Sequence, residues 1–291
     1  MTTNPRIPFQ LSSDRPRLSP PKGKSIIVHV VVNVENWAFE LPMPRKLLSA
    51  PHGLEVSPDI PNFSWAEYGM RCGMPRLLNF FQERRIPVGC SLNAGVIENY
   101  PSLAEEILRA GWEIIGHGLH QRSIQGEANE RETIGEALSL ISRFTGQDVK
   151  GWLSPGLKQT ADTPDILKDY GLQYCCDWVL DDLPAWMRTK SGPLLSIPYS
   201  LEINDSVIHA VEAYSSNEML LRLQNTLQIY EAESHEQPRI ITLGLHPHLI
   251  AVPHRFPVLM EMINLLRQRD DVVFLTGSEI ADWFTSECPQ L

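Results

Sequence analysis

The stretch SIIVHVVVNV at residues 25–34 decides the fold of this chain. It is a continuous run of branched apolar residues, which is typical of a strand buried on both faces of a parallel sheet. Strand-like runs recur at 87–92, 112–115, 151–154, 173–176, 195–198, 239–245 and 272–275, and amphipathic helix patterns lie between them at 65–85, 101–110, 129–145, 163–170, 217–232, 256–269 and 278–285. This alternation predicts one α/β domain with a largely parallel sheet over residues 25–291, preceded by an extended arm at residues 1–24.

Composition and charge narrow the functional class. The chain has 291 residues, of which 43% are hydrophobic, enough to bury the core of one α/β barrel. Its net charge is −10 and no run of Lys or Arg interrupts it, which argues against nucleic-acid and membrane partners. The N-terminus lacks the apolar core of a signal peptide, and the scattered positions of the five cysteines indicate reduced thiols. We therefore expect a soluble cytoplasmic protein with a small-molecule substrate.

Reactive side chains follow three of the predicted strands. Glu35 follows the first, His117 and His120 follow the strand that precedes Gly116, and His246 and His248 follow the strand near the C-terminus. The loops that leave the C-terminal ends of parallel strands converge on one crevice. The sequence therefore predicts that these five side chains share a site, although ordinary loop or capping histidines are the alternative.

Two kinds of chemistry are open to this set. Glu35, His117 and His120 could supply three protein ligands to a divalent metal such as zinc, with a fourth position left for water. Alternatively, Glu35 acts without a metal as the general base that takes a proton from the attacking water. His246 suits the general acid that protonates a leaving amine, because imidazole titrates near physiological pH. Whether a metal is bound stays open.

A long connection follows the first strand. Residues 38–62 are rich in proline and have no helix or strand period. Connections of this length inside a compact domain are commonly functional. We predict that this segment is a loop over the site.

Seven segments in order identify a family resemblance. They are VNVENW at 32–37, WAEYGMRCG at 65–73, GWEIIGHG at 111–118, GWLSPGL at 151–157, DWVLDDLP at 177–184, IPYSLEIND at 197–205 and LGLHPHLIAVPHR at 243–255. Together they resemble the NodB-like polysaccharide deacetylase superfamily, and within it the cytoplasmic branch of allantoinase-like and cyclic imide hydrolase-like enzymes. The resemblance covers residues 25–283.

The resemblance implies a fold and an activity. It implies a distorted (β/α)7 barrel and hydrolysis of a C–N amide bond by an activated water. It also implies a homo-oligomer, a tetramer or a dimer. His246 matches the position of the histidine that serves as general acid in the family.

The departures from the family pattern concern the metal. Secreted deacetylases carry an aspartate pair after the first strand, whereas here Glu35 is the single acid. Their second motif has a histidine four residues after the first; here Gln121 holds that place and His120 comes one residue early. Leu153 replaces the arginine of their third motif. Allantoinase-like members similarly lack the metal-binding set, so the resemblance leaves both a metal-bound and a metal-free site open.

Five further residues are predicted to line the substrate pocket. Tyr68 and Arg71 resemble pocket positions of this branch, and an arginine can grip an imide or carboxylate oxygen; an ion pair between Arg71 and the glutamate four residues before it is the alternative. Trp152, Asp182 and His248 complete the predicted pocket. The alternatives are core packing for Trp152 and a solvated turn for Asp182.

Three functions follow from these observations. The leading hypothesis is a hydrolase that opens a small cyclic amide, imide or ureide, with Glu35 and His246 in acid–base roles. The second is a deacetylase of N-acetylated sugars or peptidoglycan fragments. The third is a catalytically inactive ligand-binding protein that kept the barrel and lost the acid pair after the first strand.

Overall fold

The strands form one curled sheet at the centre of the molecule. The computed structural model describes residues 3–55 and 57–289, and all bounds refer to that part of the chain. The strands are β1 (Ile26–Val34), β2 (Gly89–Leu92), β3 (Glu113–Gly116), β4 (Gly151–Trp152), β5 (Tyr174–Cys175), β6 (Ala185–Thr189), β7 (Gly192–Ser196), β8 (Arg239–Leu245) and β9 (Val272–Phe274).

Helices lie along the outside of the sheet. They are α1 (Ile60–Tyr68), α2 (Met74–Arg84), α3 (Gly95–Asn99), α4 (Pro101–Arg109), α5 (Glu130–Thr145), α6 (Thr163–Asp169), α7 (Glu218–Glu233), α8 (Phe256–Arg267) and α9 (Gly277–Glu287). Two π-helical turns, Gly69–Gly73 and Val207–Val211, accompany them. None of the helices in the described ranges is both long and apolar enough to cross a membrane.

The sheet is parallel apart from one hairpin. Its strand order is β6-β7-β5-β4-β3-β2-β1-β8, with β9 beside the first half of β1. All pairs are parallel except β6 with β7. β1 pairs with β8 from Ile26 to Val32 and with β2 from Val31 to Val34, so its C-terminal end lies between those two strands.

The two ends of the sheet approach each other. The segment that follows β7 lies against β8: the Thr242 hydroxyl donates to the Pro198 carbonyl at 2.6 Å, and the Gly244 N–H donates to the Ile203 carbonyl at 3.2 Å. These contacts curl the sheet back on itself. The result is an α/β fold with a curled half-barrel sheet, which confirms the predicted distorted barrel.

Both faces of β1 are buried, as its sequence predicts. Val28, Val30 and Val32 pack in the cluster that includes the helix residues of α2 and α8, and Ile27 and Val31 pack in the cluster on the other face of the strand. Each such side chain contributes roughly 1.5–3 kcal/mol when it leaves water. This burial fixes the strand whose end carries Glu35.

The hairpin β6–β7 and the break in the 65–85 helix were not predicted. The strand predicted at 195–198 overlaps the end of β7, which pairs antiparallel with β6, a strand that was not predicted. β6 is an edge strand with a partly exposed pattern, so its residues do not show the apolar run of a central strand. The predicted helix over 65–85 is divided by the π-helical turn into α1 and α2.

The N-terminal arm lies on the barrel of its own chain. Arg6 pairs with Asp165 at 2.9 Å, and Arg15 pairs with Asp181 at 2.7 Å. The Leu18 N–H donates to the Gln237 side chain at 3.0 Å. Residues 1 and 2 of the predicted arm lie outside the described residues.

Candidate active site

Glu35 and His246 lie side by side at the C-terminal edge of the sheet. Glu35 follows β1 directly and His246 follows the neighbouring strand β8. Both side chains are buried, and Glu35 Oε1 is 3.4 Å from His246 Nε2. We call the space bordered by Glu35, His117 and His246 the mouth of the barrel. The structure therefore brings the predicted base and the predicted acid together.

Glu35 is held as a carboxylate. Its Oε1 faces His246, and its Oε2 lies 3.9 Å from Nη1 of Arg45 and has no hydrogen-bond partner among the described residues. Burial on its own raises the pKa of Glu35, but the positive charges of His246 and Arg45 and the hydrogen bond from His246 outweigh burial and lower it to about 2. The carboxylate is thus ionised and has one free oxygen that can accept a proton.

His246 is held as an imidazolium by a second buried carboxylate. Its Nδ1 lies 2.6 Å from Asp205 Oδ1, and its backbone N–H donates to Asp205 Oδ2 at 2.7 Å. Burial lowers the pKa of His246, but the carboxylates of Asp205 and Glu35 outweigh it and raise the pKa to about 9. Because Asp205 binds both the ring and the backbone, it fixes the ring orientation and keeps Nε2 protonated toward Glu35.

Asp205 is a site residue that was not predicted from the sequence. It is the last residue of the segment IPYSLEIND, so the acid was visible in a recognised motif. The sequence gives no spacing rule that links it to a histidine 41 residues later. Only the closure of the sheet, which places the segment after β7 against β8, brings the two together.

His117 is a neutral histidine at the end of β3. Its Nδ1 lies 2.5 Å from the Leu153 carbonyl oxygen, so Nδ1 carries the proton that is donated to that oxygen. Its Nε2 has no partner among the described residues. Burial lowers the pKa of His117 more strongly than the charge of Glu35 raises it. The neutral ring can accept a hydrogen bond from a ligand.

A buried asparagine connects the ends of β1 and β3. The Asn93 side chain accepts from the backbone N–H of Asn36 at 2.8 Å and donates to the carbonyl of His117. Asn93 follows β2, the strand between the other two. It therefore fixes the spacing between Glu35 and His117 and was not identified from the sequence.

The predicted metal ligands Glu35, His117 and His120 do not come together. The His120 side chain is exposed, and its Nδ1 lies 2.8 Å from the amide of Asn36. The backbone after His117 pairs with the connection after β2, through Ala94 N to Gly118 O at 2.8 Å, and this pairing directs His120 away from the mouth. The prediction that Glu35, His117 and His120 share a metal ion is therefore wrong.

The donor set that remains does not fit a catalytic zinc. Within residues 3–55 and 57–289, no three His, Cys, Asp or Glu side chains form a group that could hold a metal ion. Glu35 and His117 are two donors, whereas catalytic zinc sites use three protein ligands. We therefore derive no step of the reaction through a metal.

His248 forms the wall of the mouth next to His246. It is buried, and its ring meets the Trp65 ring edge to face at a centroid distance of 4.8 Å. Burial lowers the pKa of His248 to about 3, so the ring is neutral. Gly69 allows this packing, because a Cβ atom at that position would lie 2.6 Å from the backbone nitrogen of His248.

Two predicted pocket residues, Tyr68 and Arg71, make side-chain contacts with residues of their own helical segment. Arg71 is 75% exposed and pairs with Glu67 at 2.9 Å, which is the ion pair named as the alternative to a pocket role. The Tyr68 hydroxyl accepts from Nη1 of Arg76 at 2.9 Å. The structure therefore corrects the assignment of Arg71 to the pocket and shows the Tyr68 hydroxyl hydrogen-bonded to Arg76.

Trp152 and Asp182 also lie outside the mouth. Trp152 is fully buried in the core, and its indole N–H donates to the Ser154 hydroxyl at 3.0 Å. Asp182 accepts from the Tyr230 hydroxyl at 2.7 Å and lies 3.8 Å from Arg239, the first residue of β8. The N-terminal end of β8 is opposite the end that carries the histidines, which corrects the assignment of Asp182 to the pocket. Trp152 packs in the core instead of the pocket, which corrects the second assignment.

A buried aspartate lies at the end of β5. Asp177 accepts from the Ser154 N–H at 2.9 Å, and its other oxygen has no partner among the described residues. Burial raises the pKa of Asp177 to about 7, against the opposing effect of the hydrogen bonds from Ser154. This carboxyl group therefore titrates near neutral pH.

Comparison with known proteins relates the chain to deacetylases. Residues 65–175 match the family model described as polysaccharide deacetylase. A Schizosaccharomyces pombe protein whose name assigns it to the polysaccharide deacetylases is 26% identical, over 92% of this chain and 93% of its own. The peptidoglycan deacetylase of Helicobacter pylori is 23% identical, over 82% of this chain and 92% of its own.

A solved structure extends the likeness to the whole fold. The crystal structure of PuuE allantoinase superposes with a TM-score of 0.86 and 28% identity, over 96% of each chain. The family match covers the part of the chain from α1 to β5, and the superposition covers the sheet that carries Glu35 and His246. Residues 65–175 therefore carry a polysaccharide deacetylase family match, and the fold of nearly the whole chain is that of PuuE allantoinase.

Proposed function

We propose that the protein is a hydrolase that cleaves the C–N bond of a small cyclic amide, imide or ureide. The observation that carries the proposal is the buried array of Glu35, His246 and Asp205, in which a carboxylate and an imidazolium face the same space. General acid–base catalysis needs one group that accepts a proton and one that donates it, within reach of one another. The family and the similarity to an allantoinase support C–N bond hydrolysis.

The array suits each proton transfer of the reaction. Glu35 Oε2 takes a proton from a water molecule, whose oxygen attacks the carbonyl carbon. The C–N bond then breaks, and the leaving nitrogen takes the proton from Nε2 of His246. The ring opens to a carboxylic acid. The proton on the Glu35 carboxyl group then passes to Nε2 of His246, which lies 3.4 Å from Glu35 Oε1, and the starting pair is restored. One water molecule is consumed and no other reactant is needed.

Two observations favour a small substrate. The catalytic groups are buried, and Arg45 of the connection that follows β1 lies over Glu35. A site covered in this way suits a compact molecule, because it can enclose the reacting group and exclude bulk water. The similarity to an allantoinase points the same way.

A second candidate is removal of an N-acetyl group from a sugar or a peptidoglycan fragment. The family description and the Helicobacter pylori relative favour it. It would use the same two residues, because the bond cleaved is again an amide.

A substrate panel separates the two candidates. Ring opening of succinimide, hydantoin and allantoin is measured beside acetate release from N-acetylated chitooligomers. We expect ring opening of at least one cyclic compound, lost in Glu35→Gln. Acetate release without ring opening would favour the deacetylase, and no turnover of any compound would favour the inactive ligand-binding protein.

Location and assembly remain predictions. We propose a cytoplasmic homo-oligomer, a tetramer or a dimer, without nucleic-acid or membrane partners. Light scattering after gel filtration measures the oligomeric state, and a monomeric mass would contradict this part of the proposal.

A further inference from the structure

We propose that Arg45 binds the oxygen of the carbonyl group whose C–N bond is cleaved, and stabilises the negative charge that develops on it. This inference rests on the proposed function and adds a substrate-contacting residue to it. Arg45 belongs to what we call the Arg45 loop, residues 36–48, which connects Glu35 to a backbone anchor at Leu47 and Leu48.

The position of the guanidinium group is the first support. Its Nη1 lies 3.4 Å from Nε2 of His248 and 3.9 Å from Oε2 of Glu35, and its carbon lies 6.0 Å from the ring centre of Trp37. The Arg45 side chain is only 23% exposed. The group is thus a cation held between the base and the wall of the mouth.

The second support is the incomplete pairing of this cation. A guanidinium has five N–H donors, and optimal arginine–carboxylate pairs are bidentate at about 2.7–2.9 Å. The 3.9 Å separation between Arg45 Nη1 and Glu35 Oε2 is too long for a hydrogen bond, and Oε2 has no other partner among the described residues. Arg45 Nη1 is within hydrogen-bond distance of His248 Nε2, so the other N–H donors of Arg45 and the acceptor Glu35 Oε2 are available to a third molecule.

The chemistry of the reaction assigns the partners. Glu35 Oε2 can hold only a proton donor, which is the attacking water. The free N–H groups of Arg45 can hold only an acceptor, and the carbonyl oxygen of the attacked amide lies next to that water. The neighbouring histidine His248 is neutral, and the proposed reaction uses the proton of His246 for the leaving nitrogen. Arg45 is therefore placed to neutralise the oxygen as it becomes negative.

A buried asparagine holds the loop in this position. The N–H groups of Leu47 and Leu48 donate to Asn62 Oδ1 at 2.7 and 3.0 Å, and Asn62 Nδ2 donates to the Leu48 carbonyl at 2.8 Å. The side chains of Leu47 and Leu48 are exposed, so the backbone and not apolar burial attaches this end of the loop. Asn62 is thus a positioning residue for Arg45.

The test compares Arg45→Gln and Arg45→Ala with a matched control in the same loop. Lys46 is the next residue and pairs with Glu55 instead of the mouth, so Lys46→Ala controls for loss of a loop cation. On a cyclic amide that the wild-type protein opens, we expect kcat of both Arg45 variants to fall by about 10²–10³-fold, with a smaller change in KM. The kcat of Lys46→Ala should stay within about threefold of the wild-type kcat.

Chemical rescue separates binding from structure. Guanidinium at millimolar concentration should restore part of the kcat of Arg45→Ala and none in Lys46→Ala, which a merely structural role would not produce. A kcat of Arg45→Gln within threefold of an active wild type overturns this inference and leaves the proposed function intact. A wild-type protein that opens no cyclic amide and releases no acetate overturns both.

Discussion

Replacing Asp205 with asparagine tests the origin of the acid at His246. Asp205 accepts from the His246 ring at Oδ1 and from the His246 backbone N–H at Oδ2, and asparagine replaces one of these two acceptor oxygens with an NH₂ donor. The backbone N–H is a fixed donor and retains the oxygen, so the amide NH₂ faces Nδ1. Nδ1 can then only accept, which favours the neutral ring.

The size of the effect follows from the pKa. His246 has a pKa of about 9 in the folded protein, raised by Asp205 and Glu35 against the effect of burial. Loss of one opposing carboxylate lowers a neighbouring pKa by about 1–3 units. A return to about 6.5 reduces the protonated fraction at pH 8 from about 90% to about 3%, a loss of about 30-fold in the active form.

The assay is the pH dependence of kcat/KM on an opened cyclic amide. In the wild-type protein the alkaline limb should lie near pH 9, because activity requires protonated His246. Asp205→Asn should move this limb down by about 2 units and regain much of its activity near pH 6. Asp165→Asn is the control, because Asp165 is a buried carboxylate paired with Arg6 of the arm. The alkaline limb of the Asp165→Asn variant should stay at the wild-type pH.

The pH dependence of stability also tests the ion pair between Asp205 and His246. The pKa of His246 is raised on folding, so its ion pairing stabilises the protein fully below pH 6.5 and loses this effect as pH rises through about 9. The destabilisation caused by Asp205→Asn should therefore be larger at pH 6 than at pH 10. An alkaline limb that stays near pH 9 in Asp205→Asn would show that the charge of Asp205 does not set the pKa of His246.

The remaining predictions concern His117, His120 and Asp177. His117→Ala should lower kcat at least about tenfold, because its buried Nε2 faces the mouth without a partner among the described residues. His120→Ala should change kcat less than about twofold, because the His120 side chain is exposed. Equal losses of kcat in the two variants, with a stoichiometric metal found by elemental analysis, would contradict the site described. Asp177→Asn keeps the acceptor for the Ser154 N–H and removes a carboxyl group whose pKa is raised to about 7. In urea unfolding, the variant should be more stable than wild type at pH 8 by on the order of 1 kcal/mol, with a smaller difference at pH 4. A stability difference that does not depend on pH would contradict this prediction.

The alternation of strands and helices was sufficient to place Glu35 and His246 at one edge of the sheet. The run at 25–34 is buried on both faces, and β8 ends where the HPH sequence begins. Because parallel strands share the direction of their C-terminal ends, the residue that follows each strand is predictable from the sequence.

Residues whose position depends on loop paths were not predictable. Arg45 lies over Glu35 because a loop is captured by Asn62, and Asp205 reaches His246 because the sheet closes on itself. His120 fails to join His117 because Gly118, at φ 73°, turns the backbone between them. A spacing rule describes helices and strands, but not a turn whose direction is set by partners distant in sequence.

The most direct test of the central claim is a double-mutant cycle on Glu35 and His246. Each of Glu35→Gln and His246→Gln should lower kcat/KM for ring opening by about 10²–10⁴-fold while thermal unfolding remains cooperative. Because the two residues serve one reaction as base and acid, the double variant should be about as active as the weaker single variant. Either single variant within tenfold of wild type would show that the pair facing each other at 3.4 Å is not the catalytic centre.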